Sequence, residues 1–417
     1  MPKDKPNTYL VLIALWLMVF SSSSQVIIIA PILPRIGEAL AVSESLLGLL
    51  GTSYALLLSL FAIITGPISD KFGRRRVLLM GCGFMAGALA LHGLANTFWV
   101  LLTVRGLAGA GGGILSGAAV AYVGDYFPYE RRGWANGWIM SGIAVGQILG
   151  IPLGTILAVA DFRVPFLVFA GTMGVAWLLV WFFVPQPDVQ RDPHPLTIKR
   201  ALLNYGRLMK MRAPAMAVLS FLLMFTSFGF FVFYLPTWLE QDVGLSGTEV
   251  ASLFFVGGLA NVVVGPLAGR ASDRIGRKPL VVTACLGLGL VMFSTTYIVF
   301  NLWMAYLMFT VAMILVAMRT SPLQALMTAI VPAEQRGILL CLAIAVGQVG
   351  FGLGSAMAGL TFTQYGYLSN TVLAATAIVL MAVVVHFFLP EPALVPASDG
   401  LPSDTAKVPK PRESILD

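Results

Sequence analysis

The chain has 417 residues, 58% of them hydrophobic and only 11% charged, against about 25% charged in ordinary soluble domains. A mean hydropathy of +0.87 excludes a soluble globular fold. The formal charge of +7 needs explaining by where its bases lie before nucleic acid is invoked.

Residues 1–8 are short and basic. The apolar run that begins near Tyr9 continues to Ala30-Pro31. It is too long for the core of a cleaved signal peptide and is read as a retained helix. Further runs lie near 46–66, 77–96, 98–124, 134–158 and 165–185, then near 214–238, 248–268, 280–300, 302–329, 338–362 and 368–389. Each is long enough to cross hydrocarbon as a helix. None alternates as the strands of an outer-membrane barrel do. The expected architecture is all-α and integral to a membrane, with twelve transmembrane helices in two six-helix halves, 9–185 and 214–389. Between them, the cytoplasmic loop 186–213 carries Arg191, Lys199, Arg200, Arg207, Lys210 and Arg212. These interleave with Leu196, Ile198, Leu202, Leu203, Tyr205, Leu208 and Met209, the pattern of a helix lying on an anionic membrane surface. The tail 390–417, rich in Pro, Ser and charge, is expected to be disordered.

With these spans, nearly all of the 26 Lys and Arg fall on the side that holds both termini and the central loop. The positive-inside rule therefore predicts cytoplasmic termini in the cell (inner) membrane. The spare positive charge belongs to the inner membrane face, so no nucleic-acid partner is expected. Cys82, Cys285 and Cys341 sit far apart in apolar runs, and His92, His194 and His386 form no ligand cluster. Neither a disulfide framework nor a metal site is indicated, and no cofactor is expected.

Three motifs occur twice. Gly66-Pro-Ile-Ser-Asp-Lys-Phe-Gly-Arg-Arg-Arg-Val77 returns as Gly269-Arg-Ala-Ser-Asp-Arg-Ile-Gly-Arg-Lys-Pro279, placing Asp70 and Asp273 203 positions apart. Pro128-Tyr-Glu-Arg-Arg-Gly133 returns as Pro332-Ala-Glu-Gln-Arg-Gly337 at 204, and Ala144-Val-Gly-Gln147 as Ala345-Val-Gly-Gln348 at 201. Nearly equal offsets imply two pseudo-symmetric halves in the same orientation. The first motif resembles the signature loop between helices two and three of the major facilitator superfamily, and its second copy lies where that family repeats it. The resemblance covers roughly residues 9–389 and is to the twelve-helix drug and metabolite:proton antiporter branch.

That resemblance implies gating roles for Gly66, Asp70, Gly73, Arg74, Arg131, Gly269, Asp273, Gly276, Arg277 and Arg336. Asp70 is expected to face the start of span eleven, near Arg336-Gly-Ile338, and Arg74 to pair with Asp125. The counterpart of Asp125 in the second half is Ala329, so Arg277 lacks that partner and the two latches are expected to be unequal. Arg105, followed by a Gly-rich stretch to Gly113, resembles the fourth-helix motif and is a substrate or coupling candidate; the bland alternative is an Arg that reaches back to water. In span five, Gly142, Gly146, Gly150 and Gly154 form one groove, bent by Pro152. Gly150-Ile-Pro-Leu-Gly154 resembles the exporter motif, with Ile151 inserted where Gly directly precedes Pro. Gly146, Gly150, Pro152, Gln147 and Gln348 are further candidates.

Of the 19 acids, none sits mid-span; Glu38, Glu44, Asp161, Glu240, Asp242 and Glu249 lie at outer ends or loops. At depth the chain offers only Arg105 and Arg319, neither of which releases a proton readily. Asp125, Glu38, His92 or the substrate itself remain as proton carriers. Arg319 lies too deep to snorkel and is expected to read a negative group on the substrate; backbone carbonyls and cavity water are the alternative partners. Aromatic and Met side chains crowd spans seven and ten (Phe225, Phe228, Phe230, Phe231, Phe233, Tyr234, Trp238, Trp303, Tyr306, Met308, Met313). Some are expected to line an adaptable pocket and most to face lipid or neighbours.

No phosphate-binding Gly-x-x-x-x-Gly-Lys-[Ser/Thr] loop occurs, and no catalytic constellation suggests an enzyme. The expected function is secondary active transport of a small molecule by a monomer, most directly proton-coupled export of an amphiphilic or anionic compound. The alternatives are import or exchange of an anionic metabolite or metal chelate, and, from another class, a non-transporting membrane sensor or assembly protein.

Overall fold

The computed structural model describes residues 8–187 and 198–391. Residues 188–197 of the central loop and 392–417 of the tail fall outside them, as do the side chains of 66–71 and of Gln147, so the calls on Gly66, Asp70 and Gln147 lie outside the described residues. Among the described residues the regular elements are all helical, and twelve helices are long and apolar enough to cross a membrane.

Span one is α1 (Thr8–Ile27) continued by α2 (Ile29–Leu40). It runs past Pro31 because that proline sits in the first turn of α2, where a missing N–H costs little. Span two is α3 (Glu44–Leu47) and α4 (Leu49–Phe72). Span three is α5 (Arg74–Leu91), closed by a 3-10 turn (His92–Leu94). Then come α6 (Phe98–Tyr126), α7 (Tyr129–Leu157) and α8 (Val164–Phe183), the short α9 (Ile198–Lys210), and the second set: α10 (Arg212–Gln241), α11 (Gly247–Ile275), α12 (Arg277–Ile298), α13 (Leu302–Ala329), α14 (Ala333–Tyr365) and α15 (Tyr367–Phe388).

The halves repeat each other in contact as well as in sequence. In the first, α4 packs on α6, α1 on α7 and α8, and α5 on α6 and α8; in the second, α11 packs on α13, α10 on α14 and α15, and α12 on α13 and α15. Equivalent caps start the fourth helix of each half: Thr97 Oγ1 accepts from Val100 N and Asn301 Oδ1 from Met304 N. The halves meet along α4–α14 and α7–α11.

The turn of each signature motif is set by one glycine. Gly73 (φ 93°) and Gly276 (φ 105°) stand between consecutive helices at a backbone angle that L side chains rarely adopt.

The central-loop helix forms and one edge of it meets the bundle: Leu208 is buried and Tyr205 half-buried, with α9 against α10 and α14. Contact with those helix ends satisfies Leu208 without lipid, leaving Leu203 and Met209 exposed beside Arg207 and Lys210.

Within each half the close contacts run through glycine. Along α7, a Cβ on Gly150 would lie 2.9 Å from Ser24 Cβ, and on Gly142 2.9 Å from the Trp16 carbonyl, so the glycine groove receives α1. On α6, a Cβ at Gly109 would overlap the Tyr54 carbonyl of α4. Gly109→Val overpacks a fixed backbone contact by about 1–3 kcal/mol. It is expected to cut the yield of monodisperse detergent-extracted protein several-fold by size-exclusion chromatography. Gly174→Ala, where a Cβ meets open space, is expected to leave the yield unchanged.

Candidate substrate site

A cavity of about 280 Å³ lies between the halves, walled mostly by the second. Helix α10 contributes Met224, Phe225, Phe228 and Val232, at the spacing of one helical face. Helix α11 adds Phe254 and Gly258, and α13 adds Phe309, Met313, Arg319 and Thr320. The first half supplies only Ile27 of α1 and Ile151 of α7. The residue that interrupts the Gly-Pro pattern thus becomes a wall of the cavity.

Arg319 is the one charged side chain in that lining. It is 5% exposed and its Nε has no hydrogen-bond partner. No carboxylate lies within ion-pair distance of it among the described residues. A second void of about 40 Å³, lined in part by Ser227, Met292 and Val316, also reaches it. A buried cation surrounded by aromatic and thioether side chains is costly unless something negative arrives. The other aromatics divide as their neighbours dictate. Trp238 stacks on Tyr367 at 4.9 Å, and Tyr306 Oη lies 2.6 Å from Ser252 Oγ. Trp303, 78% exposed, points away from the bundle.

Arg105 is placed differently, although its Nε and Nη2 also have no hydrogen-bond partner. It is fully buried on α6, away from the cavity lining, and its Nη1 donates to Gln25 Oε1 at 3.0 Å and to the Gln25 carbonyl at 3.3 Å. Gln25 Nε2 donates to Tyr54 Oη at 3.0 Å, and the guanidinium lies 4.8 Å from the Tyr54 ring and 5.7 Å from that of Phe166. Arg105 does not reach back to water; a neutral amide of α1 and two rings hold it. Gly146 and Gly150 lie in the α1–α7 seam against Ser23 and Ser24, not on the cavity, because their lack of Cβ is used up by helix contact. Pro152 is half-buried on α7; Gln348 is half-buried on α14 and outside the cavity lining.

On the face that holds the termini, Arg74 Nε donates to Asp125 Oδ2 at 2.6 Å, each side chain about one-fifth exposed. Arg277 instead reaches Asp273, one turn back on its own chain, at 3.5 Å, and donates to the Ala325 carbonyl at 3.2 Å. Arg131 and Arg336 are exposed. Each signature turn is also capped by the segment after the last helix of its half. Gln186 Oε1 accepts from Arg75 N at 3.2 Å; Glu391 accepts from Arg277 N at 2.9 Å and Lys278 N at 3.0 Å. Sequence reading missed these caps, though the signal was present: Val184-Pro-Gln-Pro187 and Leu389-Pro-Glu-Pro392 stand 205 positions apart.

On the opposite face the halves are joined. Glu44 accepts from Gln241 Nε2 at 2.7 Å, and its carbonyl from Tyr234 Oη at 2.5 Å. Deeper along the same interface, Thr52 Oγ1 donates to the Gly352 carbonyl at 2.6 Å and Ser59 Oγ to that of Ala345 at 2.8 Å.

Two like-oriented six-helix bundles around a shared cavity that is closed to one face define a secondary transporter, not an enzyme. The sequence profile of the Major Facilitator Superfamily matches residues 15–313 and 217–415. The chain belongs to that superfamily. It is 26% identical to the multidrug resistance protein MdtG of Proteus mirabilis over 381 residues, 87% of this chain and 90% of MdtG. It is also 26% identical to YceJ, an uncharacterized MFS-type transporter of Bacillus subtilis, covering 84% and 89% of the two chains. The fold is shared with a D-xylose-proton symporter, at a TM-score of 0.75 and 20% identity over 92% of this chain and 98% of the symporter. It is shared too with a bacterial homolog of the human lysosomal transporter Spinster, inward-facing and unoccupied, at 0.72 and 18% over 92% and 96%.

The unequal ion pairs set a test. Asp125→Ala removes a short cross-helix bond and is expected to lower transport about tenfold; Asp273→Ala, which loses a longer, more exposed one-turn pair, less than about twofold, in line with the small worth of such pairs. Glu391→Gln keeps an acceptor, as Gln186 does in the other half, and is expected to match wild type where Glu391→Ala does not. Initial transport rates at matched abundance are the measurement.

Proposed function

We propose that this transporter exports a small amphiphilic compound bearing an anionic group, in exchange for protons, from a cytoplasm that holds both termini. Arg319 carries the reading: among the described residues it is a buried cation without a carboxylate partner, set in a cavity whose other lining is uncharged and mostly aromatic, aliphatic and Met. A carboxylate, sulfonate or phosphate on the substrate supplies the missing charge through a bidentate fork, while Phe225, Phe228, Met224 and Met313 hold an apolar body without demanding one shape. Likeness over most of the chain to a protein named for multidrug resistance supports export. The bias of bases towards the termini supports the orientation. The Arg74–Asp125 pair then lies on the cytoplasmic face, where it favours the state in which the inner ends are packed.

Transport into proteoliposomes, with and without an imposed pH gradient, across a panel of amphiphilic carboxylates, small hydrophilic anions and lipophilic cations, tests this reading. Gradient-driven flux of amphiphilic carboxylates is expected. Flux confined to small hydrophilic anions favours import or exchange of a metabolite, and no flux across a broad panel favours a sensor. Arg319→Lys keeps the charge and loses the fork, and is expected to transport about tenfold more slowly, a change of about 1.4 kcal/mol. Arg319→Gln loses both and is expected to fall about a hundredfold, with abundance unchanged. Equal rates in all three proteins, or a purely cationic substrate, overturn the assignment.

A further inference from the structure

A substrate carboxylate balances Arg319 only while the substrate is bound. Between turnovers the charge still has to be met, because an unpaired cation in a low-dielectric site is costly. The protein's own groups do not meet it. Among the described residues no carboxylate lies within ion-pair distance, and no side-chain or backbone oxygen accepts from its guanidinium. Cys285 of α12 lies near it, but as a buried thiol turned to Met381 Sδ at 4.0 Å.

The void of about 40 Å³ beside Arg319 bears on what does meet it. Arg319, Phe228, Phe309 and Met313 line both this void and the substrate cavity, so the two spaces share a wall. The rest of the void is lined by aliphatic and thioether groups such as Leu288 and Met292 of α12 and Ala312 and Val316 of α13. Its one hydroxyl, Ser227 Oγ, already donates to the Ala374 carbonyl at 2.8 Å. Among the lining residues Arg319 is the one with donors to spare. A buried water needs about two to four polar partners, and this lining offers one guanidinium and one committed hydroxyl. A carboxylate, phosphate or sulfate brings two or more oxygens, each wanting a donor, to a space where a single side chain supplies them. A halide is a sphere without directional needs. It takes charge balance from the guanidinium and tolerates ring edges and methyl groups around the rest of its surface. A water-sized sphere needs about 10–15 Å³ of such space, so the void admits the larger chloride or bromide.

We propose that this void is a halide site: chloride held by Arg319 is the resting counter-ion of the carrier, displaced when the anionic group of the substrate docks. The inference deepens the proposed function and rests on its assignment of Arg319. One guanidinium balances one monoanion, and a second in the same low-dielectric pocket leaves net negative charge there. Halide and substrate anion therefore compete, although they occupy spaces on either side of the shared wall. Chloride then sets the apparent affinity for substrate without entering the apolar part of the cavity.

Chlorine-35 line broadening by the full-length protein in nanodiscs of neutral lipid reads the site without any substrate. The wild type is expected to broaden the chloride resonance in excess of Arg319→Gln, and bromide to suppress that excess. Arg319→Lys is expected to keep it, since a sphere needs charge but no fork. Ala312→Val fills the void from a position outside the cavity lining and is expected to lose the excess with Arg319 intact. Each variant is compared after a monodisperse size-exclusion profile. For a carboxylate that the transport panel shows to be carried, chloride in place of gluconate, an anion too large for the void, is expected to raise KM about threefold at about twice the halide's Kd and to leave the limiting rate unchanged. Equal broadening by wild type and Arg319→Gln, an excess that survives Ala312→Val, its loss in a folded Arg319→Lys, or a KM indifferent to chloride overturns the proposal. The two readings fail separately. Arg319-dependent broadening with no flux across the panel removes the export reading and keeps the halide site. Carboxylate flux that falls in Arg319 variants, with no chloride broadening, removes the halide site alone.

Discussion

In hydrocarbon, burying apolar side chains against one another gains little over leaving them in lipid, so helix association depends on how closely backbones approach. That constraint explains where this chain spends its 43 glycines. Gly142, Gly146, Gly150 and Gly154 admit α1 to α7, and Gly109 and Gly113 admit α4 to α6. In the second half Gly350 and Gly354 bring α14 onto α10, where a Cβ would meet the Leu222 and Thr226 carbonyls. Contacts of this kind tolerate no added atom, and they make each half a rigid body. The functional groups are then held by helices whose spacing is fixed elsewhere.

On this frame the two deep arginines are treated in opposite ways, and the contrast divides labour between the halves. Arg105 is tied through Nη1 to Gln25 and boxed by Tyr54 and Phe166, away from the cavity, with its Nε and Nη2 unpartnered. Arg319 stands in the cavity wall with an unpartnered Nε. Ten of the twelve lining residues come from the second half. Substrate chemistry concentrates there, and the first half keeps a polar network linking spans one, two, four and six.

Much of this was legible in the sequence because its signals were periodic. Apolar runs of membrane length marked the spans, and motifs at a common offset marked the two halves, since duplicated bundles keep their turns in step. Span one was read short: Pro31 looks like a stop, yet proline in a first helical turn breaks no bond. The loop helix was recognised by its amphipathic pattern, but pattern alone does not say whether lipid or protein receives the apolar side. The site was legible only in outline. Arg105 and Arg319 look alike as isolated cations in apolar runs, and only tertiary contact separates the tethered one from the one that faces the cavity. Gln25 drew no attention among four serines. Gln186 and Glu391 were hidden because a cap is defined by a backbone N–H in a distant segment, although their prolines repeat at the offset of the other motifs.

Rigid halves still have to part. Among the described residues, five side-chain hydrogen bonds cross the closed side: Thr52 to Gly352 and to Ser355, Ser59 to Ala345, Tyr234 to Glu44 and Gln241 to Glu44. Each donor and acceptor can turn to water once the interface opens, so each bond contributes about 0.5–1.5 kcal/mol net. Together they hold the closed state by a few kcal/mol, the range in which two conformations both stay populated. Small residues line the same interface: Thr52 abuts Gly352, and Gly48 and Gly51 abut Ser355. Closure is therefore tight, with Phe233 of the second half seated against Gly51 of the first. Backbone contact within a half and hydroxyl or amide contact between halves give one chain two rigid bodies and a reversible seam. A single charge arriving at Arg319 is of the right magnitude to tip it.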